Sequence, residues 1–320
     1  MEKNSSMITA WDKRLKNDVT IGLILKGDKE GEIMEASLKR LCDLTKRLSF
    51  SIKKDKERDE SVIHISPNLL FKGELSGKML EIFLSLLERQ SEGISAKTDD
   101  ELSTVIGPVF LKLYVAPQCP HCPPVVHHIA PMTLLNKNIS LEIIDGTFFS
   151  DKANQDRIQS VPTLIYDDNF RWTGSVKVSD VLDVIKNIKP EDLSPRSLQT
   201  MIESGKASAL AELMVLENKI FPSIYGLIKN EKWSVRLGAM VVAEEIMARD
   251  EHLADVLMEH LWETFETETD QIKGDLIYLA GEIGSRLSRQ RIADLMKTNI
   301  AGELMEAVME AHDSLIDRLG

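Results

Sequence analysis

Apolar positions fall into two regimes along the 320-residue chain. Up to about residue 190, short apolar runs alternate with stretches in which apolar residues recur every three or four positions. Val19 to Lys26 reads as a buried strand. Glu30 to Leu48 has helical spacing, with Ile33, Met34, Leu38, Leu41, Cys42 and Leu44 on one side. Ser49 to Lys53, Ser61 to Ile65 and the run from Leu69 to Gly73 are short strand candidates. Ser76 to Arg89 is helical again, with Met79, Leu80, Phe83, Leu84 and Leu87 as its stripe. The next stretch repeats the order. Asp99 to Ile106 is a short helix, Val109 to Val115 a strand and Cys119 to Asn136 a helix. Ser140 to Ile144 is a strand, Asp151 to Ile158 a short helix, Thr163 to Tyr166 and Phe170 to Trp172 a strand pair, and Val178 to Ile188 the closing helix. Two successive units of roughly ninety residues in one order predict a duplicated α/β fold.

Lys189 to Pro195 holds two prolines, charges and a serine between helical patterns, and marks a boundary. Beyond it the strand signal vanishes. Val235 to Ile246 and Ile272 to Ile283 share small and apolar positions: Ala243 matches Ala280, Glu245 matches Glu282, and Ile246 matches Ile283. A weaker copy runs from Glu303 to Ile316. A spacing in the high thirties, roughly, between helix pairs is the signature of a HEAT-like array, which more often binds partners than catalyses.

Chemistry concentrates at Cys119-Pro120-His121-Cys122, which follows the strand candidate at 109–115. About forty residues on comes Ser160-Val161-Pro162-Thr163. A Cys-x-x-Cys opening a helix after a strand, with a Val-Pro-Thr turn at this distance, is the redox-active layout of a thioredoxin-like fold. At a helix N-terminus, unpaired N–H groups and the helix dipole favour thiolate, so Cys119 is the expected attacking sulfur. Cys122, one turn further in, is expected to be less exposed and to resolve the mixed disulfide. Pro120 is expected at the first helical position, where proline is tolerated best. His121 adds positive charge and pushes the couple toward a more oxidising potential. Pro124 is expected to remove a hydrogen bond and kink the helix. The Val161–Pro162 bond is expected to be cis and to lie against the dithiol, with the Val161 backbone free to pair with an extended substrate segment.

Residues 19 to 188 resemble the tandem thioredoxin region of the alkyl hydroperoxide reductase flavoprotein subunit, and also the paired-fold protein disulfide oxidoreductases of glutaredoxin-like type. The likeness is carried by Cys119 to Pro123 with Val125 and Val126, by Ile144 to Phe149, and by Arg157 to Thr163. Phe71 to Gly73 and Ser76 to Lys78 match more loosely. The resemblance implies a dithiol that relays electrons to a peroxidase or exchanges disulfides with protein substrates. It gives Cys119 and Cys122 the redox role and Pro162 the cis-proline role. Three features depart from the family. The region after residue 190 is helical rather than flavin-binding, so the electron donor must be a separate protein. The Pro-His dipeptide is that of oxidases rather than of a reductive relay. The glutamate that the family places beside the dithiol falls on Met79.

The expected organisation is therefore α/β: two tandem thioredoxin-like folds followed by an all-α HEAT-like helical repeat domain. Residues 1–104 form a fold without redox cysteines, residues 105–190 a fold with the dithiol, and residues 191–320 the helical domain. In the first fold the turn after the strand, Gly27 to Gly31, holds no cysteine.

A net charge of −12 argues against nucleic acid as a partner, because phosphate binding needs a basic face. From residue 195 onward there are about 22 acidic and 13 basic residues, so most of the excess lies in the helical part. Such acidity is an ordinary solvated surface, or a docking face for a basic partner. The first residues have no apolar h-region, and no run approaches the roughly 18 apolar residues of a membrane helix. With three cysteines, two of them in one motif, a cytoplasmic protein is expected. Cys42 is expected to be a buried, inert thiol, and one of His127 and His128 to be exposed while the other is partly packed. Trp172, Trp233 and Trp262 are expected as core or interface anchors, and the methionines at 296, 305 and 309 as adaptable core. No cofactor or metal is expected beyond a Cys119–Cys122 disulfide.

The expected function is thiol–disulfide exchange with a protein disulfide substrate and a separate reductase or peroxidase partner, with neither nucleic acid nor membrane involved. Alternatives are a scaffold whose dithiol acts as a redox switch, and a metal-binding adaptor using Cys119, His121 and Cys122, three ligands on one turn.

Overall fold

The computed structural model describes residues 2–93, 100–103, 105, 109–168, 170–298 and 302–320. They form two compact units, residues 1–187 and 188–320.

The first unit is built on one eight-stranded sheet. Its first half contains β1 (Val19–Leu25), β2 (Leu48–Lys54), β3 (Val62–Ser66) and β4 (Leu69–Lys72). Its second half contains β5 (Val109–Val115), β6 (Ile139–Asp145), β7 (Thr163–Tyr166) and β8 (Phe170–Thr173). The order across the sheet is β2-β1-β3-β4-β6-β5-β7-β8. In the first half β1 runs parallel to β2 and antiparallel to β3, which is antiparallel to β4. β5, β6, β7 and β8 repeat those relations in turn. The halves join through parallel pairing of β4 with β6, so the two α/β repeats share a sheet instead of forming separate bodies.

Helices follow the strands as the spacing predicts, with shifted ends. α2 (Lys29–Leu44) stops four residues short of the expected Leu48, because Thr45 turns extended and the chain enters β2. α3 (Gly77–Glu92) buries Met79, Leu80, Phe83, Leu84 and Leu87. Of the helix expected over 99–106, α4 spans Asp100–Ser103; positions 99, 104 and 106 lie outside the described residues. α7 (Ser150–Gln155) crosses between β6 and β7, whereas residues 55–61 make the same passage in the first half without a helix. α8 (Val178–Asn187) closes the unit.

One helix escaped the sequence reading. α1 (Glu2–Asp12) is largely polar, yet Ile8 and Trp11 are buried three positions apart on it, and Leu15 just past its end is buried as well. The Trp11 indole donates to the Leu84 carbonyl at 2.7 Å, tying α1 to α3.

Charges bridge the seam between the halves. Lys72 on β4 is buried between Glu60 (2.7 Å) and Glu142 on β6 (2.6 Å), and Lys152 on α7 reaches Glu60 at 3.2 Å. Burial alone would lower the Lys72 pKa; the Glu142 and Glu60 carboxylates outweigh it and hold it above the ordinary lysine range. His64 on neighbouring β3 has a buried Nε2 without a hydrogen-bond partner. Burial first, then the charge of Arg58, lowers its pKa from 6.5 to about 4. Between those values the unfolded chain binds a proton here that the folded chain refuses. Stability therefore falls as pH drops through that window and levels off below it. His64→Gln should remove up to about 3 kcal/mol of this acid-induced loss. The readout is the urea midpoint against pH, and an unchanged decline would mean that the folded imidazole is charged.

The second unit is helical throughout its described residues: α9 (Pro195–Glu203), α10 (Ala207–Leu216), α11 (Ser223–Ile228), α12 (Trp233–Met247), α13 (Glu251–Thr264), α14 (Asp270–Ile283), α15 (Arg286–Leu295) and α16 (Gly302–Leu319). Side chains of Ser194, Asp250, Thr269 and Ser285 accept from first-turn N–H groups of α9, α13, α14 and α15. The three segments with matching small and apolar positions lie on α12, α14 and α16. α10 packs on α12, α12 on α14, and α14 on α16. Ala243, Ala280, Ile246 and Ile283 are all buried. Gly281 lets α16 come close, since a Cβ there would stand 3.2 Å from that of Ala311. Arg236 on α12 is fully buried and donates to Asp275 on α14 at 2.6 Å.

Several residues expected in the core or at an interface are at the surface. Trp233, Met296 and Met309 are exposed and Trp172 is half-buried; only Trp262 is packed, its indole donating to Ser288 at 3.1 Å. Cys42 is half-buried rather than buried, and His127 and His128 are both exposed. No helix among the described residues is long and apolar enough to cross a membrane.

Candidate redox site

The dithiol loop leaves β5 at Ala116 and turns at once, with the Cys119 N–H donating to the Ala116 carbonyl at 3.1 Å. That turn keeps Cys119 and Pro120 ahead of the helix instead of in its first turn. α5 (Cys122–Ile129) begins at the second cysteine, with His121 at the N-cap position but without a side-chain cap bond. Pro123 and Pro124 thus take helical positions whose N–H groups have no intrahelical acceptor, so Pro124 removes no helical hydrogen bond and α5 runs unbroken past it to Ile129. The helix breaks later, where Pro131 opens α6 (Pro131–Leu135).

Cys119 is half-buried while Cys122 is fully buried; both are free thiols. Pro120 and His121 are exposed. The Cys119 Sγ donates to the Val161 carbonyl at 3.6 Å. The Val161–Pro162 peptide bond is cis, and Pro162 is buried directly before β7. Cys119 and the Val161–Pro162 turn, 42 residues apart in sequence, are therefore in contact through sulfur and carbonyl.

Burial pushes the Cys122 thiol up to about 12, helped by its hydrogen bond to Cys119 and by the charge of Asp145; the Ala116 N–H, donating to its sulfur, opposes this. The two sulfurs thus differ in kind: one reaches solvent, while the other is held as a thiol beneath it.

Asp145 ends β6 and is buried. Its Oδ1 accepts from the Thr147 N–H (2.9 Å), the Thr147 hydroxyl (2.7 Å) and the Phe148 N–H (3.2 Å). It stands in the Ile144 to Phe149 motif, but nothing in the sequence spacing assigned it a place beside Cys122. The first half adds a second unforeseen contact. Gly77, at φ +51°, lies against Pro117, and the Lys78 N–H donates to the Pro117 carbonyl at 3.0 Å. A side chain at residue 77 would meet both strain and the Pro117 carbonyl. Met79, two residues on, is buried, and both it and Asp145 lie against Gly73.

The matching place in the first half is occupied by a polar lock. Ser61 precedes β3 as Pro162 precedes β7. Its N–H donates to Asp28 at 3.0 Å, its hydroxyl also donates to Asp28, and it accepts from the Lys26 N–H at 2.9 Å. Burial would raise the Asp28 pKa, but the hydroxyl and amide of Ser61 and the Gly31 amide hold it below the usual value. Among the described residues no group of three His, Cys, Asp or Glu side chains could hold a metal.

Residues 110–186 match the thioredoxin domain family, and this stretch is a thioredoxin-like domain. A protein of Ferdinandcohnia aciditolerans named NADH dehydrogenase is 25% identical over 184 residues, covering 55% of this chain and 35% of its own length. An alkyl hydroperoxide reductase protein of Staphylococcus aureus is 22% identical over 174 residues, covering 52% of this chain and 34% of its own. The chain thus spans about a third of the length of these curated relatives. Among solved structures, the NTD N/C domain of the alkylhydroperoxide reductase AhpF from Enterococcus faecalis is similar at 18% identity, with a TM-score of 0.49 over 58% of this chain and 99% of that one. A protein disulfide oxidoreductase from Aeropyrum pernix gives 18% and 0.48, over 58% of this chain and 92% of that one. The first unit of this chain therefore carries a thioredoxin-like domain at its cysteine motif.

Proposed function

We propose that the chain is a thiol–disulfide oxidoreductase working on protein disulfides. In this reading residues 1–104 and 105–190 are tandem thioredoxin-like folds, the first without chemistry, and residues 191–320 are a HEAT-like domain that docks the partner. The observation that carries the reading is the pairing of a solvent-reaching Cys119, hydrogen-bonded to the carbonyl before a cis proline, with a buried thiol at Cys122.

Cys119, as thiolate, attacks one sulfur of the partner's disulfide. A mixed disulfide forms and the partner's other sulfur leaves as thiolate. Cys122 attacks the Cys119 sulfur, its proton passing to the partner sulfur that departs. This leaves a Cys119–Cys122 disulfide and a partner reduced by two electrons. A separate dithiol reductase returns the electrons; with the opposite donor and acceptor the same steps run in reverse.

Cys122→Ser tests the order of attack. It should stop the sequence at the mixed disulfide, so that intact-mass analysis finds a stable adduct on Cys119 with a disulfide-bonded protein such as insulin. An adduct that forms on Cys122 in Cys119→Ser and not on Cys119 in Cys122→Ser would reverse the roles.

A further inference from the structure

The helical unit shows an apolar line where a surface helix would normally be polar. Trp233, Leu237 and Val241 on α12 are 57%, 42% and 38% exposed at i, i+4 and i+8, a stripe about 12 Å long. Tyr278 on α14, 50% exposed, lies beside it, since its hydroxyl donates to Glu244 at the stripe's end. Such a line of large apolar side chains is unusual on a solvated helix.

The acidic groups at its end supply the chemistry of the occupant. Glu244 is partly desolvated and faces Glu282 of α14, a like charge; burial and that neighbour both raise its pKa. Neither carboxylate is in an ion pair among the described residues, whereas nearby Glu245 has Arg249. A cation arriving with a partner would relieve the Glu244–Glu282 repulsion, while an anionic lipid surface or nucleic acid would add to it. One-turn spacing of apolar anchors beside acidic groups is the geometry of helix-in-groove recognition.

We infer that the α12–α14 face, with Trp233, Leu237, Val241 and Tyr278 as its apolar floor and Glu244 and Glu282 as its acidic end, is a docking surface for a basic amphipathic helix of a partner protein. The inference deepens the docking role proposed for the helical domain and rests on that reading. It does not require the dithiol.

The test uses the full chain and a fluorescein-labelled 18-residue helix of leucines on one face and lysines on the other. The matched leucine–glutamate helix serves as control. Fluorescence anisotropy should show saturable binding of the lysine peptide only. Trp233→Ser and the pair Glu244→Lys/Glu282→Lys should each weaken it by about tenfold or more. Reversing two exposed charges elsewhere, Glu259→Lys/Glu263→Lys on α13, should leave it unchanged.

Absence of binding, equal binding of the acidic peptide, or equal loss from the α13 reversals would overturn the proposal. So would a wild-type dimer in sedimentation that Trp233→Ser dissociates, since the occupant would then be a second copy. The Cys119→Ser chain should bind the peptide like wild type. Failure of the redox chemistry is thus read from insulin turnover, and failure of the docking face from anisotropy.

Discussion

Cys119→Ser is expected to lose disulfide turnover on the order of a thousand-fold, because the nucleophile of the first step is removed and Cys122 is not poised to replace it. Cys122 is fully buried and its thiol is pushed up to about 12, so at neutral pH it offers little thiolate and no open path to a protein disulfide. Insulin reduction with dithiothreitol as donor provides the measurement. Residual turnover above a few per cent would mean that Cys122 attacks substrate directly, and turnover equal to wild type would remove the dithiol from the chemistry. His121→Ala makes the useful comparison. His121 is exposed and outside the sulfur contacts, so that variant should change the redox potential while keeping turnover measurable.

Arg236→Met is expected to destabilise the helical unit by about 3–5 kcal/mol. The guanidinium is fully buried and binds Asp275 of α14 at 2.6 Å, with Nη1 donating to the carbonyls of Asn230 (2.7 Å) and Glu231 (3.0 Å). Methionine fills similar space but leaves a carboxylate and two carbonyls without their donor. Because Nη2 has no partner, the ion pair is itself imperfectly satisfied. Arg236→Met combined with Asp275→Leu should therefore recover much of the loss, which a double-mutant cycle in urea denaturation would measure. A single variant within about 0.5 kcal/mol of wild type would show that α12 and α14 do not depend on this link.

The order of strands and helices in the first unit was legible because short apolar runs and helical spacing alternate there with clear turn residues between them. α1 was missed because Ile8, Trp11 and Leu15 are too few to outweigh their polar neighbours; the indole's bond to the Leu84 carbonyl lies 73 positions away in sequence. Helix ends were misplaced where a tertiary or turn bond decides them. Cys119 stays out of α5 through its bond to Ala116, and no local propensity reports that. The joining of the halves through β4 and β6 was hidden as well, since pairing partners leave no periodic trace. At the site the two cysteines and the Val-Pro-Thr turn were readable from spacing alone. Asp145 and the Gly77–Pro117 contact were not, because each depends on which elements the sheet brings together. Met296 and Met309 show the converse limit: apolar identity does not say which face of a helix is covered.

The seam between β4 and β6 also bears on solubility. A free-standing second half would present β6 as a bare edge, a row of unpaired amide and carbonyl groups with Leu141 and Ile143 along it, ready to add a foreign strand. In the intact sheet that row is occupied by β4 in register, Leu69 opposite Leu141 through Lys72 opposite Ile144. The outer strands are then β2, ending in Lys53 and Lys54, and β8, only four residues long with Arg171 within it. Short strands and lysine-bearing strands are poor templates for edge-to-edge growth. The first repeat, having no dithiol of its own, thus serves the second as a built-in guard against aggregation.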